Sequence, residues 1–131
     1  MLTILICLLI IMVMPLALAI STAPFRASQF GKPDLQQPRR QAEQLVGVGY
    51  RIYAAQKNAW EALLLFSAAL VFASLAGLDF KDLMNAAILF VAARILHAVF
   101  YILNIGPLRF IAFLASVVSI GWIVVTAFKA L

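Results

Sequence analysis

The stretch from Met1 to Ile20, MLTILICLLIIMVMPLALAI, contains no charged side chain, and it decides the class of this protein. A helix that crosses a bilayer needs roughly 20 mostly apolar residues. Residues 110–128 form a second run without charge near the other end of the chain. Of the 131 residues, 66% are hydrophobic and only 11% are charged, which is more apolar surface than one small core can bury. The sequence therefore predicts an integral membrane protein.

Two further apolar segments lie between these runs, so residues 1–131 are expected to form a single domain with four spans. The predicted spans cover about residues 1–22, 45–78, 80–103 and 108–129. Residues 23–44 form a polar connection that is too rich in proline for a continuous helix. Short turns at residues 77–79 and 104–107 separate the last three spans. The expected fold class is an all-α, four-helix membrane bundle.

The first span has a competing interpretation as a signal peptide, since Ala17-Leu18-Ala19 resembles a cleavage site. However, no basic region precedes the apolar run, and the run is longer than the hydrophobic part of a typical signal peptide. These two features favour a retained helix.

The distribution of Lys and Arg predicts the orientation of the spans. One side of the membrane receives the basic residues of the first and third connections: Arg26, Lys32, Arg39, Arg40 and Arg109. The other side receives only Lys81 and Lys129. The positive-inside rule then places the first side in the cytoplasm and both termini on the non-cytoplasmic side.

Two of the spans carry polar stripes at helical spacing. The stripe of the second span comprises Arg51, Lys57, Asn58 and Glu61, and that of the third span comprises Arg94, His97 and Tyr101. A charge at the centre of a span costs about 2.5–3.5 kcal/mol on insertion scales, so such stripes face a bundle interior or a cavity instead of lipid. The short turn between the two spans predicts that they pack as antiparallel neighbours and that the stripes meet.

The stripes allow two interpretations. In the first, Glu61 pairs with Arg94, Arg51 or Lys57 and only holds the helices in register. In the second, the excess of cations binds the carboxylates of a ligand, and Glu61 binds its ammonium group. His97 has no Cys or acidic companions, so a metal site is not expected. The basic residues lie beside apolar runs instead of forming an aromatic-rich basic patch, which argues against nucleic acid as a partner.

Two sequence runs carry a family resemblance. Residues 51–61, RIYAAQKNAWE, are followed by Phe66, and residues 93–101, ARILHAVFY, are followed by Pro107-Leu-Arg109. Together they resemble the helix signatures of the MAPEG family, the membrane-associated proteins in eicosanoid and glutathione metabolism, over about residues 45–125. The resemblance implies a homotrimer with glutathione as co-substrate in a cytoplasm-facing cleft between subunits. Its bacterial branch implies the inner membrane.

The resemblance also assigns roles by position. It places the glutathione ligands at Arg51, Lys57, Asn58, Glu61, Arg94, His97 and Tyr101. Arg109 is the expected catalytic residue, because a cation beside the glutathione thiol lowers the pKa of that thiol. The thiolate then attacks a lipophilic electrophile that arrives from the bilayer. The expected activity is that of a glutathione-dependent transferase or peroxidase.

Two other classes of function remain open at this point. One is a non-catalytic scaffold or ligand-binding protein of the same fold, since Leu63-Leu64-Leu65 replaces the proline that usually follows the glutamate of the first signature. The other is a small four-span exporter. The exporter is the least favoured, because residues 1–20 contain no ionisable side chain except that of Cys7.

Overall fold

The computed structural model describes all 131 residues and consists of six α-helices without strands. The helices are α1 (Leu2–Ser21), α2 (Ala23–Phe30), α3 (Pro38–Glu43), α4 (Gly47–Leu75), α5 (Met84–Ile102) and α6 (Gly106–Lys129). Four helical segments are long and apolar enough to cross a membrane: Leu2–Phe30, in which α2 continues α1, then α4, α5 and α6. The predicted all-α, four-helix membrane bundle is confirmed.

The third span begins later than the sequence pattern predicts. Residues 80–83 form turns, and α5 starts only at Met84. The Asp79 carboxylate accepts a hydrogen bond from the backbone N–H of Lys81 at 3.0 Å, which stabilises a turn in place of the first helical turn. Gly77, with a φ of +75°, ends the preceding helix in the left-handed region that glycine tolerates best.

The core of the bundle forms where α1, α4, α5 and α6 meet. Phe66 of α4 and Phe90 of α5 stack with 4.7 Å between ring centroids, and both are buried. The helices around them approach through small residues: Ala62, Ala69, Ala73, Ala86, Ala87 and Ala127. Ile4, Cys7 and Ile11 pack α1 into the same core. The first span is thus a structural part of the bundle.

The connection between α1 and α4 is more ordered than its proline content predicts. It contains α2 and α3, and each begins with a proline at its first or second position, Pro24 and Pro38, where the missing N–H costs no helical hydrogen bond. We call residues 23–45 the cap. A small apolar cluster of Ala42, Leu45 and Tyr53, with Phe25 and Phe30 against it, attaches the cap to α4.

Gly49 explains how closely the cap approaches α4. A Cβ atom at this position would lie 2.8 Å from Cβ of Phe25, which is closer than carbon atoms pack. Gln29 adds two hydrogen bonds, since its side chain donates to the carbonyl of Gln44 at 2.8 Å and accepts from the N–H of Val46 at 3.1 Å. These contacts hold α2 beside the start of α4 and the residues that precede it.

Candidate functional site

A polar cleft opens at the end of the bundle where α1 and α5 end and α4 and α6 begin. Helix α4 has 29 residues and is therefore about 44 Å long, more than the roughly 30 Å hydrocarbon core of a bilayer. The polar first half of α4 thus lies towards the membrane surface. The cleft has an inner lobe of about 400 Å³ and an outer lobe of about 390 Å³.

The two lobes share four lining residues, and the remaining lining residues of each lobe are different. Both are lined by Glu43, Tyr53, Lys57 and Glu61. The inner lobe is completed by Tyr50, Ala54, Asn58 and Tyr101, and the outer lobe by Arg39, Gln56 and Trp60. The cleft therefore presents two cations and two carboxylates to a ligand, with amide and phenol groups between them.

An apolar cavity of about 250 Å³ lies next to the cleft, deeper along α4, α5 and α6. Its walls are mostly hydrophobic and include Leu65, Phe90, Phe113, Val117 and Ile120. Asn58 and Glu61 line both this cavity and the inner lobe of the cleft. A polar compartment and an apolar compartment consequently meet at these two residues.

Arg94 lies behind this shared wall and holds Asn58 in place. Its side chain is buried, and Nη2 donates to the backbone carbonyl of Asn58 at 3.0 Å and to the amide oxygen of the same residue. The Asn58 amide nitrogen in turn donates to the Glu61 carboxylate at 3.5 Å. A buried cation, an amide and an exposed carboxylate thus form a short chain that links α5 to the cleft.

Glu61 forms none of the ion pairs with Arg94, Arg51 or Lys57 that the first interpretation expects. The single ion pair within 4.0 Å joins Lys81 and Asp79, both exposed and far along the sequence from the cleft. Asn58 stands between Arg94 and Glu61 instead of a direct pair. The Glu61 carboxylate is exposed and keeps acceptor positions for a ligand.

Arg109, Tyr101 and His97 pack against one another beside the inner lobe of the cleft. The Arg109 guanidinium lies 4.4 Å from the ring centroid of Tyr101, within the range of a cation–π contact. The buried His97 ring packs edge-on against Tyr101, with 5.8 Å between ring centroids, and at a tilt against Phe113, with 6.3 Å between centroids. Tyr101 lines the inner lobe and Arg109 does not, so the positive charge of Arg109 lies against the Tyr101 ring, beside that lobe.

Arg51 of the polar stripe on α4 forms a hydrogen bond to the backbone of α5 and does not line the cleft. Its Nε donates to the carbonyl of Ile102 at 2.8 Å, in the last turn of α5. The last carbonyls of a helix lack partners within the helix, and a cation at that end also interacts favourably with the helix dipole. Arg51 therefore joins the start of α4 to the end of α5.

The structure brings the predicted site residues together in two layers. Lys57, Asn58, Glu61 and Tyr101 line the cleft. Arg94, His97 and Arg109 pack behind or beside these four, and Arg51 binds the end of α5.

Sequence reasoning missed several residues that line the cleft, among them Arg39, Glu43 and Tyr53. Tyr53 lies one turn before Lys57 on α4, so the helical period alone could have indicated it. Arg39 and Glu43 belong to the cap. Their position depends on how the cap folds back onto α4, and no local pattern encodes that.

The fold and the cleft define a multi-pass membrane protein, a helical bundle with a polar cleft near the membrane surface and an apolar cavity beside it. The profile of the MAPEG family matches residues 2–129, and the chain belongs to this family. No curated protein sequence and no solved structure matches it. The family includes glutathione-dependent transferases and peroxidases as well as members without catalytic activity.

Proposed function

We propose that this protein is a glutathione-dependent transferase or peroxidase that acts on lipophilic electrophiles. The observation that supports this most directly is the wall formed by Asn58 and Glu61, which separates a polar cleft from an apolar cavity. A charged thiol and an apolar electrophile need compartments of opposite polarity that meet at one point. Membership of the MAPEG family supports the same chemistry, because glutathione is the thiol that its members commonly use.

The residues of the cleft suit the groups of glutathione. The γ-glutamyl end carries an ammonium group and a carboxylate on one carbon atom, and Glu61 and Lys57, one helical turn apart, offer the opposite charges. Asn58, oriented by Arg94, offers an amide to the peptide groups. Arg51 and His97 act from behind, where they hold α5 and the Tyr101 ring in position.

Arg109 is the catalytic residue of this proposal. Its guanidinium, stacked on Tyr101, stabilises the thiolate of glutathione at the inner end of the cleft. In a transferase reaction the thiolate attacks an electrophilic carbon, the bond from that carbon to the leaving group breaks, and the leaving group departs with the electron pair. In a peroxidase reaction the thiolate attacks a peroxide oxygen and the O–O bond breaks, with release of an alcohol after protonation. A second glutathione then converts the glutathione sulfenic acid to the disulfide and water.

The assembly and orientation follow from the same proposal. Lys57, Trp60 and Glu61 are exposed in the single chain although they belong to a membrane-spanning helix, which fits a cleft completed by neighbouring subunits of a homotrimer. The end of the bundle that carries the cleft also carries the basic residues of the cap and Arg109. The positive-inside rule directs this end to the cytoplasm, in a bacterial inner membrane, with both termini on the other side.

Replacement of Leu65 with glutamine tests the apolar compartment. Leu65 lines the cavity, so an amide there makes the cavity wall more polar and disfavours an apolar substrate, and we expect the KM for a lipophilic electrophile to rise severalfold while the Kd for glutathione stays unchanged. Leu64→Gln is the matched control, because Leu64 is exposed like Leu65 but does not line the cavity. The measurement is glutathione-dependent consumption of 1-chloro-2,4-dinitrobenzene and of cumene hydroperoxide by the protein in lipid nanodiscs.

Two results of this assay would contradict the proposal. Equal KM changes for Leu65→Gln and Leu64→Gln would show that the cavity does not hold the electrophile. A wild-type protein that binds glutathione but consumes neither electrophile would belong to the non-catalytic members of the family.

A further inference from the structure

The apolar cavity between α4, α5 and α6 has four polar side chains in its wall: Asn58, Glu61, Arg94 and Ser116. The amide of Asn58 is directed to neighbours, since its oxygen accepts from Arg94 and its nitrogen donates to Glu61. The Ser116 hydroxyl group donates to the carbonyl of Phe113 at 2.7 Å, so its one hydrogen atom is already used. Glu61, when ionised, has no hydrogen atom to donate.

Arg94 keeps a donor without a partner. The residue is 3% exposed, and Nη2 makes both of its hydrogen bonds, to the backbone carbonyl and to the amide oxygen of Asn58. Nε is the only buried side-chain nitrogen or oxygen atom of α4, α5 and α6 that forms no hydrogen bond. An unpaired donor on a charged group is costly inside a membrane-spanning bundle. The cavity that Arg94 lines has room for a ligand that supplies the missing acceptor.

We propose that the cavity binds lipophilic molecules that carry a carbonyl group, and that the carbonyl oxygen accepts a hydrogen bond from Nε of Arg94. Pockets of this kind combine apolar walls with a few polar groups that orient the ligand. A neutral carbonyl oxygen suits this wall better than a carboxylate, which would bring a second negative charge close to Glu61. The hydrocarbon part of the ligand then contacts Leu65, Phe90 and Val117.

This inference rests on the proposed function, in which the same cavity holds the electrophile. It narrows the substrate class to lipophilic electrophiles that carry a carbonyl group, such as α,β-unsaturated ketones. Arg94 thereby acts on both compartments, since Nη2 positions Asn58 at the cleft and Nε orients the ligand of the cavity.

The first test compares two unreactive probes of nearly equal shape, acetophenone and α-methylstyrene, in which a methylene group replaces the carbonyl oxygen. The wild type, Arg94→Lys and Ser116→Ala are studied in lipid nanodiscs without glutathione, and each Kd refers to the probe dissolved in the lipid. In Arg94→Lys a carbon atom takes the place of Nε while the positive charge is kept. Ser116→Ala is the matched control, because Ser116 is buried in the same wall but has no hydrogen atom to offer.

We expect the wild type and Ser116→Ala to bind acetophenone about tenfold more tightly than α-methylstyrene, as a hydrogen bond from a charged donor suggests. Arg94→Lys should bind the two probes equally. If Arg94→Lys keeps the preference, or if the wild type has none, Nε does not bind the carbonyl group and the inference is wrong.

A second measurement needs only the wild type and therefore does not depend on the folding of a variant. The carbon-13 NMR signal of acetophenone labelled at its carbonyl carbon, extrapolated to saturation, should lie downfield of its position in hexane. A bound signal at the hexane position would overturn the inference.

Turnover separates this inference from the function on which it rests. A wild type without a preference for acetophenone that still conjugates glutathione to 1-chloro-2,4-dinitrobenzene would refute the inference alone. A wild type that binds neither probe and consumes no electrophile would refute the proposed function together with the inference.

Discussion

Replacement of Arg109 with alanine is expected to lower turnover with glutathione about thirtyfold near pH 7, because an unassisted thiol with a pKa of about 8.5 is only about 3% ionised there. Arg109 lies beside the inner lobe of the cleft, where its guanidinium is over the ring of Tyr101. If it stabilises the thiolate, its loss returns the pKa of the bound thiol to the ordinary value. Turnover should then recover as the pH rises above that value, and the pH–rate profile records this shift directly.

Two variants sharpen the Arg109 experiment. Arg109→Lys keeps the charge and should retain part of the activity at neutral pH, although lysine lacks the planar group that stacks on Tyr101. Lys129→Ala removes a cation from the last turn of the same helix, away from the cleft, and should change nothing. A pH–rate profile of Arg109→Ala that coincides with that of the wild type would assign the thiolate cation to another residue.

Replacement of Arg94 with methionine is expected to weaken glutathione binding at least tenfold and to lower the stability of the bundle by about 1–3 kcal/mol. The variant removes the hydrogen bonds to the carbonyl and amide oxygen of Asn58, which orient the wall between the two compartments. It also leaves a partly buried amide oxygen without its charged donor. Calorimetry measures the first effect, and thermal unfolding in nanodiscs measures the second.

Ser119→Ala separates binding from stability in this experiment. Ser119 is buried, and its hydroxyl group donates to the carbonyl of Ala86 between α5 and α6. Its loss should lower the unfolding temperature without a change in the Kd for glutathione, because Ser119 lines neither the cleft nor the cavity. If Arg94→Met loses stability and keeps the wild-type Kd, Arg94 is a packing residue and does not position Asn58 for the ligand.

The fold class could be predicted from sequence because transfer into a bilayer depends on local composition. The charge-free runs at residues 1–20 and 110–128 each suffice for one span, whatever the rest of the chain does. Helix α5 begins at Met84, four residues after the predicted start of the third span, since apolar content cannot reveal the turn that Asp79 stabilises. The cap helices were missed because their order depends on distant contacts, such as those of Gln29 with Gln44 and Val46.

The candidate site was predictable where helical spacing encodes it. Lys57, Asn58 and Glu61 follow one another on α4, so their presence in one cleft follows from the helical period. The contact of Arg94 with Asn58 required only that α4 and α5 be neighbours. The contact of Arg51 with Ile102 was not predictable, because it depends on where α5 ends. Arg39 and Glu43 join the cleft only through the fold of the cap.

The central claim of this account is that the cleft around Glu61 binds glutathione, and calorimetry of the purified wild-type protein tests it most directly. We predict saturable binding in the micromolar to low-millimolar range, weakened at least tenfold by Glu61→Gln because the carboxylate that faces the ammonium group is then neutral. Asp82→Asn, an equal charge change in the exposed turn before α5, should leave binding unchanged. A folded wild-type protein that shows no binding at millimolar glutathione would contradict the account, and the cleft would then hold no thiol ligand of this kind.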